Sequence, residues 1–523
     1  MRRRALLSTA LLTMAVLGAG PAGAADLRIG LAAPVTSVDP HFANATPNNA
    51  FTRHIFDMLT LRSPEGAPEP GLATEWRALS DNEWEFKLRP GVTWHDGQPF
   101  TADDVVFSFA RAPSVPNSPA SFGGALRNLQ RVEVVDPLTL RLHTSEPTPN
   151  LPRDLTAVAI VSRRVAEGAS TADFNSGKAA IGTGPYRFGS YTPGSQVEVT
   201  RNDAWWGAKQ EWDRVVFRML TNAAARTAAL LSGDVDMIAS PSPSDLPRLR
   251  GEANIAIAER QGTRLIYMSP DFSRTGETPF ITGEDGKPLP RNPLLDVRVR
   301  RALSLAVNRE ALAERVLQGM AEPTGQWMPR GAFGFNPDVA PPAQDLNQAR
   351  QLLTEAGYPR GFRMVLNASN DRYVADAQVA QAVAQMWTRV GVNTTVEAQP
   401  FATYLARASR QEFSMVQESW GSTSGEAGNL LLNVVHTYDA ARRRGASNDT
   451  RYSNPALDER INRALSTIDD AARERLIRDA VRDTTEDVAI IPLFLYKNSW
   501  ATRRPLTYLP RSDDATLAMG VSR

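Results

Sequence analysis

The chain has 523 residues, 58 of them Lys or Arg against 57 Asp or Glu, and it contains no cysteine. Its near-neutral charge excludes an electrostatic basis for binding nucleic acid or an anionic membrane surface. Without cysteine there are no disulfides, so apolar burial must stabilise the fold, which a chain of this size can provide. The length exceeds what one hydrophobic core supports and predicts two or three domains.

The N-terminus has the pattern of a secretory signal peptide over residues 1–24. Three consecutive arginines precede an apolar stretch at 5–20, and the small residues "AGA" follow at 22–24. A membrane anchor is disfavoured, because a spanning helix needs about 20 apolar residues and the stretch is shorter. We expect export by the Sec or the twin-arginine route. We do not expect a lipoprotein, since there is no cysteine to carry a lipid.

The first half of the remaining chain favours strands with short helices between them. Residues 27–33 and 82–97 alternate between apolar and polar side chains, and 131–144 predict two strands around an Asp-Pro turn. Thr101 is a good N-cap for a helix over 101–112. An Ala-rich helix at 222–233 followed by a short apolar strand is typical of an α/β fold.

The second half predicts longer helices alternating with strands. The apolar spacing at 295–319 indicates one long amphipathic helix, and 454–487 one or two helices. Strands are predicted at 362–369, at 413–420 and, near the C-terminus, at 488–503.

Catalytic and metal-binding patterns are absent from the sequence. The five histidines are scattered without the spacing of a metal site, and no thiolate is available to help them. The glycine-rich "GTGPY" at 182–186 lacks the lysine of a phosphate-binding loop and indicates a tight turn. No Gly-x-Ser-x-Gly motif is present to carry a nucleophile. We therefore expect neither an enzyme nor a bound cofactor or metal, and a secreted hydrolase remains only a remote alternative.

Trp420 is the best candidate for a ligand contact among the ten tryptophans. It ends a predicted strand and precedes the polar segment "GSTSGEA". An aromatic side chain beside polar groups at the end of a strand suits a ligand pocket. The same pattern also fits an ordinary surface loop, and packing is the simpler interpretation for Trp205 and Trp206.

The stretch at 71–109, "GLATEWRALSDNEWEFKLRPGVTWHDGQPFTADDVVFSF", resembles bacterial extracellular solute-binding proteins of family 5. These are the dipeptide, oligopeptide and nickel binding proteins of ABC importers. Similar motifs follow in the family's order along nearly the whole mature chain: "GTGPYRF", "VTRNDAWWG", "LLSGDVDMI", "DVRVRRALSLAVNREAL", "LNQARQLLTEAGYPRGF" and "IIPLFLY".

The resemblance implies an α/β fold, the two-lobed periplasmic binding protein of type II. The family belongs to a cluster of larger type II proteins that have an additional β-rich subdomain. The ligand cleft lies between the two lobes. Lobe one would be discontinuous, comprising 25–265 and 488–523, with the β-rich subdomain at about 45–180. Lobe two would comprise 266–487. The protein would then be a periplasmic monomer that closes on its ligand without chemistry.

The resemblance also implies where the ligand contacts lie. Dipeptide-binding members carry an aspartate shortly after the tryptophan to pair with the peptide's amino group, and that aspartate is missing here. "WGSTSGEA" is more similar to glutathione-binding members. In that context the hydroxyl groups would bind a carboxylate or amide, and the one nearby acid would meet an amine. The expected contacts are Asn370, Arg372, Tyr373, Trp420, Ser422, Thr423, Ser424 and Glu426.

The expected ligand is therefore a small peptide, from a dipeptide to a glutathione-like tripeptide, delivered to the permease subunits of an ABC transporter in the inner membrane. A non-peptide ligand such as an opine-like or sugar conjugate or a metal chelate remains open, because of the missing aspartate. Two site residues also have structural alternatives. Arg372 would instead form a surface salt bridge, and Glu426 would instead be an acid in the first turn of a helix.

Overall fold

The computed structural model describes residues 25–422 and 424–523. The predicted signal peptide, 1–24, and the site residue Thr423 lie outside the described residues. In the described part of the chain, no helix combines the length and the apolar character needed to cross a membrane.

Strands and helices are interspersed along the whole described chain, with runs of consecutive strands in its first half. The strands are β1 Asp26–Leu31, β2 Thr60–Arg62, β3 Pro68–Pro70, β4 Ala73–Ser80, β5 Glu83–Leu88, β6 Leu129–Asp136, β7 Thr139–Thr144, β8 Tyr186–Thr192, β9 Gln196–Arg201, β10 Arg214–Met219, β11 Met237–Ala239, β12 Ile255–Pro270, β13 Ile281–Thr282, β14 Ala321–Pro323, β15 Phe362–Ser369, β16 Val392–Gln399, β17 Met415–Gly421, β18 Ile491–Arg503, β19 Thr507–Tyr508 and β20 Val521–Ser522. The helices are α1 Thr46–Thr52, α2 Ala102–Arg111, α3 Leu151–Asp154, α4 Arg163–Ala166, α5 Thr171–Asn175, α6 Ala223–Ser232, α7 Leu246–Gly251, α8 Val297–Ala306, α9 Arg309–Ala311, α10 Leu346–Glu355, α11 Asp376–Thr388, α12 Phe401–Ala408, α13 Gly428–Leu430, α14 Pro455–Ser466 and α15 Asp470–Glu486.

One large mixed sheet runs through the molecule in the order β13-β15-β17-β12-β18-β11-β1-β10-β9-β8. Its two ends contain parallel pairs: β1 with β10 and β11 at one end, and β15 with β16 and β17 at the other. We call the half with β1 the first lobe and the half with β15 the second lobe. The α/β class predicted from the sequence is confirmed.

The long antiparallel strands β12 and β18 connect the two lobes. Their register is continuous from Ile255 to Gln261, breaks, and resumes at Leu265. Gly262 sits in this break, where an added Cβ would lie 2.7 Å from the Asn498 side-chain oxygen. Only a glycine allows the two strands to approach this closely at the crossing.

Each lobe has its own hydrophobic core. The first packs Leu27, Ile29 and other buried side chains of the β1 region, and the second packs Ile266 and Met268 of β12 against α8 and α11. A third core lies under the separate four-stranded sheet β4-β5-β7-β6, which is the predicted β-rich region. Separate cores on either side of two connecting strands produce a two-lobed molecule. The residue bounds proposed for the lobes stay a prediction.

Local capping explains several helix ends. The Asn222 side chain accepts a hydrogen bond from the Ala225 amide at 2.9 Å, and Gly233 ends α6 at a φ of 85°. The single helix predicted over 295–319 was wrong. The chain leaves helical geometry at Val307, and Asn308 then caps a new short helix. An internal N-cap overrides the continuous apolar spacing.

Candidate ligand cleft

The carboxyl ends of the parallel strands mark the edge of each lobe that can receive a ligand. In the first lobe β1 and β11 end at Leu31 and Ala239, and in the second β15 and β17 end at Ser369 and Gly421. Open α/β sheets bind ligands just beyond these ends. Both edges adjoin the crossing of β12 and β18, so the space beside the crossing is the candidate ligand cleft.

Arg264 lies at the crossing, and its positive charge is near polar groups of both lobes. It is exposed on β12, and its Nη1 donates a hydrogen bond of 3.4 Å to Ser419 Oγ on β17. Its guanidinium is also 5.8 Å from the ring of Tyr373. Across the crossing, its charge favours the ionised form of Asp514 in the first lobe. A cation is thus placed where a ligand carboxylate would enter the cleft.

A small apolar cavity of about 110 Å³ lies at the edge of the first lobe. It is lined by Leu31, Ala32, Ala33, Thr46, Pro47, Ala50, Phe51, Phe217, Ala239, Ser240, Asp514 and Thr516. Asp514 keeps a solvent-exposed surface, yet the surrounding protein desolvates its carboxylate and raises its pKa to about 6. The cavity therefore combines an apolar wall with one acid that is easily neutralised.

Asp376 organises the loop at the edge of the second lobe. Its Oδ2 accepts hydrogen bonds from Ser369 Oγ at 2.7 Å and from the Arg372 and Tyr373 amides at 3.1 and 3.2 Å. This carboxylate is buried. It fixes the loop that carries three predicted site residues, Asn370 among them, to the end of β15.

These three predicted residues line the second lobe's edge. Arg372 is exposed, with its guanidinium 5.5 Å from the Tyr373 ring and 5.1 Å from the Phe401 ring. Among the described residues it forms no ion pair, so the salt-bridge alternative has no partner. Asn370 is exposed, and its side chain donates a 3.5 Å hydrogen bond to the Ala398 carbonyl. Arg372 is therefore free to meet a carboxylate, with stacked rings behind it.

Trp420 is half-buried rather than freely exposed. Its Nε1 donates a 3.0 Å hydrogen bond to Asn429 Oδ1, and its ring packs against the core that contains Leu265 and Tyr267. The indole nitrogen is thus used within the protein, and only part of the ring remains for a ligand to contact.

The predicted residues after Trp420 form a closed turn. Ser422 Oγ accepts a hydrogen bond from the Glu426 amide at 3.1 Å and donates one to the Glu426 carbonyl at 2.9 Å. Ser424 is buried, and its hydroxyl donates to Glu426 Oε1 at 3.2 Å. The hydrogen bonds of these serines are therefore internal to the loop.

Glu426 is completely buried, and its carboxylate has partners from both lobes. Oε1 accepts from Asn150 Nδ2 of the first lobe at 3.2 Å, and Oε2 accepts from the Gly428 amide at 2.9 Å. The second bond places the acid at the N-terminus of α13, as the structural alternative expected. A role in binding a ligand amine stays a prediction, and the observed contacts favour an inter-lobe role.

The predicted set is thus split into two groups. Asn370, Arg372 and Tyr373 lie together in the loop after β15, whereas Ser422, Ser424 and Glu426 bond mainly with one another. Sequence reasoning missed Arg264, Asp376 and Asp514. Arg264 carried one signal, its position in the stretch where the chain was expected to cross between lobes, but the other two have no local pattern.

Among the residues the structure describes, no group of three or more His, Asp or Glu side chains could hold a metal ion.

Comparison with known proteins gives a consistent family. The sequence profile of the bacterial extracellular solute-binding proteins, family 5 Middle, matches residues 67–442. The chain is 28% identical over 439 residues to the dipeptide-binding protein of Escherichia coli (strain K12), covering 79% of this chain and 78% of that protein. It is 27% identical over 467 residues to heme-binding protein A of Haemophilus influenzae, covering 83% and 80%.

Among solved structures, the fold is similar to the unliganded open form of the periplasmic murein tripeptide binding protein MppA. The TM-score is 0.81 at 24% sequence identity, covering 96% of this chain and 97% of that one. This similarity confirms the two-lobed fold of a periplasmic binding protein. The profile match spans well over half of the chain, and the chain therefore belongs to family 5 of the bacterial extracellular solute-binding proteins.

Proposed function

We propose that this protein is the periplasmic substrate-binding component of an ABC importer. It captures a small peptide, from a dipeptide to a glutathione-like tripeptide, and delivers it to the permease subunits in the inner membrane. It acts by binding and not by catalysis, as a monomer. The observation that carries the proposal is the placement of Arg264 at the crossing of β12 and β18, between the carboxyl edges of the two lobes.

Closure of the cleft follows from the same geometry. In the described part of the chain, β12 and β18 are the two strands that join the lobes in the large sheet, and their register breaks between Gln261 and Leu265. A rotation at this break brings the edges together around a ligand and excludes water. The similarity to an open, unliganded relative supports reading this structure as the open form.

A peptide suits the polar groups at the cleft. The guanidinium groups of Arg372 and Arg264 would bind its carboxylate, and Tyr373 would pack against its backbone or side chain. The small apolar cavity at the end of β1 would receive an apolar side chain. The E. coli dipeptide-binding protein among the relatives supports this ligand class.

A non-peptide ligand is the second candidate. The aspartate that would pair with a peptide amine has no counterpart at Thr423, and one relative is a heme-binding protein. An opine-like or sugar conjugate or a metal chelate would use the same cationic groups without needing an acid at that position.

The proposed division of the chain accompanies the function. Residues 1–24 would be removed on export, leaving a protein without a cysteine to carry a lipid. The first lobe would comprise 25–265 and 488–523, and the second 266–487. The register break next to residue 265 and the start of β18 support these bounds.

Thermal melting of purified 25–523 with dipeptides, glutathione, opines and nickel chelates tests the proposal. A ligand present at a hundred times its dissociation constant adds about 2.7 kcal/mol of stability. A shift with peptides, confirmed by calorimetric titration, is the expected result. A shift with none of the peptides would contradict the peptide assignment, and a shift with an opine or a chelate would replace it.

A further inference from the structure

Glu418 lies on the second lobe's sheet near the cleft, and its side chain is half-buried. It lies on β17 three positions before Gly421, about 10 Å from the strand's carboxyl end at the usual rise per residue. Its register partner on β12 is Tyr267. Residues directly opposite in antiparallel strands project to the same face, so these two side chains lie side by side on one face of the sheet, and we call the space beside them the pocket.

The Glu418 carboxylate is fixed by a tyrosine from α12. The Tyr404 hydroxyl donates to Glu418 Oε1 at 2.5 Å and lies 3.0 Å from the Gln417 carbonyl. Tyr404 itself is 2% exposed. The acid is therefore held in place by a neutral donor, and among the described residues no cation forms an ion pair with it.

A second acid, Asp449, adjoins the same face of the sheet. The hydroxyl groups of Thr450 and Ser269 are 2.9 Å apart, which places the loop beside β12 two residues from Tyr267. In the described part of the chain, the Asp449 carboxylate accepts no hydrogen bond and has no cation within 4 Å. The neighbouring Arg451 donates to the Asn448 carbonyl instead.

Tyr267 supplies an independent observation. Its side chain is 2% exposed, yet its hydroxyl has no hydrogen-bond partner among the described residues. Its pairing with Glu418 and the nearby Ser269–Thr450 contact place it on the face of the sheet that both acids adjoin, and burial together with the charges of Glu418, Tyr373 and Asp449 raises its pKa. A tyrosine hydroxyl that is not used within the protein can accept a hydrogen bond from another molecule.

Without a ligand, the two carboxyl groups of the pocket have raised pKa values. Desolvation, with a contribution from Asp449, raises the pKa of Glu418 to about 7. Desolvation likewise raises the pKa of Asp449, although Arg451 opposes the shift. A cation that entered the pocket would favour the ionised form of both carboxyl groups and would lower their pKa values.

The pocket communicates with the cleft through aromatic side chains. Tyr373 at the edge of the second lobe lies 6.4 Å from Phe401, ring to ring, and Phe401 stacks on Tyr404 at the same distance. Tyr404 in turn bonds Glu418, so a row of packed rings links the edge beside Tyr373 to this acid.

We infer that Glu418, Asp449 and the Tyr267 hydroxyl form a subsite for a cationic group of the ligand, a primary ammonium or a guanidinium. Such a group donates several hydrogen bonds, and the two carboxylates and the hydroxyl oxygen accept them. The inference rests on the proposed function, because it assumes a ligand in the cleft. It narrows the ligand class to small molecules that carry a positive charge, such as peptides with a basic side chain.

Two dipeptides that differ only in the side-chain ammonium test the inference. Glycyl-lysine and glycyl-norleucine are titrated calorimetrically into the wild-type protein, Glu418→Gln, Asp449→Asn and the control Glu314→Gln, whose residue is exposed in the second lobe. Glu418→Gln keeps an acceptor for Tyr404 and removes a half-buried carboxyl group, so it should fold. The expected wild-type preference for the lysine peptide is at least about tenfold, from a charge-assisted hydrogen bond.

Glu418→Gln and Asp449→Asn should each reduce that preference towards one, whereas the control should keep it. The inference would be overturned if the wild type bound the two peptides equally, or if both variants kept the wild-type preference for the lysine peptide. In either case, binding of both peptides would still support the proposed function. If neither peptide binds, the peptide assignment is decided by the wider melting screen, and agmatine decides the inference. A melting shift with agmatine that Glu418→Gln removes supports it, and no such shift overturns it.

Discussion

Asn150 of the first lobe donates a 3.2 Å hydrogen bond to the buried carboxylate of Glu426 in the second lobe. The Arg473 guanidinium donates a hydrogen bond to the Oδ1 of the same Asn150. This guanidinium also lies over the ring of Phe333, 4.3 Å from the ring centre. The loop after β17 thus connects the two lobes. This relationship assigns Glu426 a task that its position in the sequence did not suggest, because Asn150 is 276 residues away.

Replacing Glu426 separates its two possible tasks. Glu426→Gln puts an amide group opposite donors from Asn150, Ser424 or Gly428, so the unliganded protein should lose about 1–3 kcal/mol of unfolding free energy. Urea denaturation measures the loss, with Glu459→Gln, an exposed acid on α14, as the control. Unchanged stability together with a large loss of ligand affinity would restore the ligand-amine role.

Replacing Arg372 tests the predicted carboxylate contact. The side chain is exposed, so Arg372→Ala should change the stability of the unliganded protein by no more than about 0.5 kcal/mol. Affinity for a dipeptide should fall at least about tenfold, because a charge-assisted hydrogen bond is lost.

The matched ligand for this measurement is the same dipeptide with its carboxylate converted to an amide, and the matched variant is Arg363→Ala, an exposed arginine on β15. The amide should bind the wild type and Arg372→Ala equally. A marked drop in melting temperature with unchanged dipeptide affinity would show that Arg372 is structural.

Asp57 anchors the two adjacent tryptophans that the sequence analysis assigned to packing. Its Oδ2 accepts hydrogen bonds from Trp206 Nε1 at 2.8 Å, Thr183 Oγ1 at 3.0 Å and Trp205 Nε1 at 3.3 Å. Asp57→Ala leaves three donors without an acceptor and should cost about 3 kcal/mol or more of unfolding free energy. Asp57→Asn keeps one acceptor oxygen and should cost less. Equal losses in the two variants would mean that the hydrogen bonds contribute little.

His54 should make the stability of the protein sensitive to acid. The Ala518 amide donates to its Nε2 at 3.0 Å, so Nδ1 carries the proton and donates to the Phe51 carbonyl at 2.9 Å. Burial lowers the pKa of this histidine from 6.5 to about 4. The folded state therefore binds a proton less readily than the unfolded chain, and the stability present above pH 6.5 is lost as the pH falls towards 4.

The measurement compares the wild type with His54→Gln, which has no group titrating in this range. Between pH 7 and pH 4, the wild type should lose about 3 kcal/mol more unfolding free energy than the variant, from the size of the pKa shift. The comparison is made between variants, since raised carboxyl pKa values such as that of Asp154, at about 7, act in the opposite direction. Parallel curves for the two proteins would contradict the assignment.

Much of the fold was predictable because side chains that are buried on one face of a strand or helix recur at a regular spacing in the sequence. The alternation at 82–97 predicted β5, and Thr101 predicted the start of α2, where its amide donates to Asp104 Oδ2 at 2.9 Å. The ordered family motifs predicted the two lobes. The break after α8 was missed, since the apolar spacing continues through Asn308 and is equally compatible with one unbroken helix.

The cleft was only partly predictable. Arg372 and Tyr373 were predicted because they follow a predicted strand, and the ends of parallel strands meet at one edge; their contact with a ligand stays a prediction. Glu418 and Asp514 were missed because their partners come from distant parts of the chain: Tyr404 for the first, and Arg264 for the second. A single sequence contains no period that records such contacts.

Closure of the two lobes on a ligand is the central claim. The chain has no native cysteine, so Ala228→Cys on α6 and Gln378→Cys on α11 provide two unique, exposed sites for spin labels, one in each lobe. The distance between the labels is measured by pulsed electron resonance with and without a saturating peptide. Lobe closure should give a shorter and narrower distance distribution when the peptide is bound. An unchanged distribution in the presence of calorimetrically confirmed binding would show that the lobes do not close.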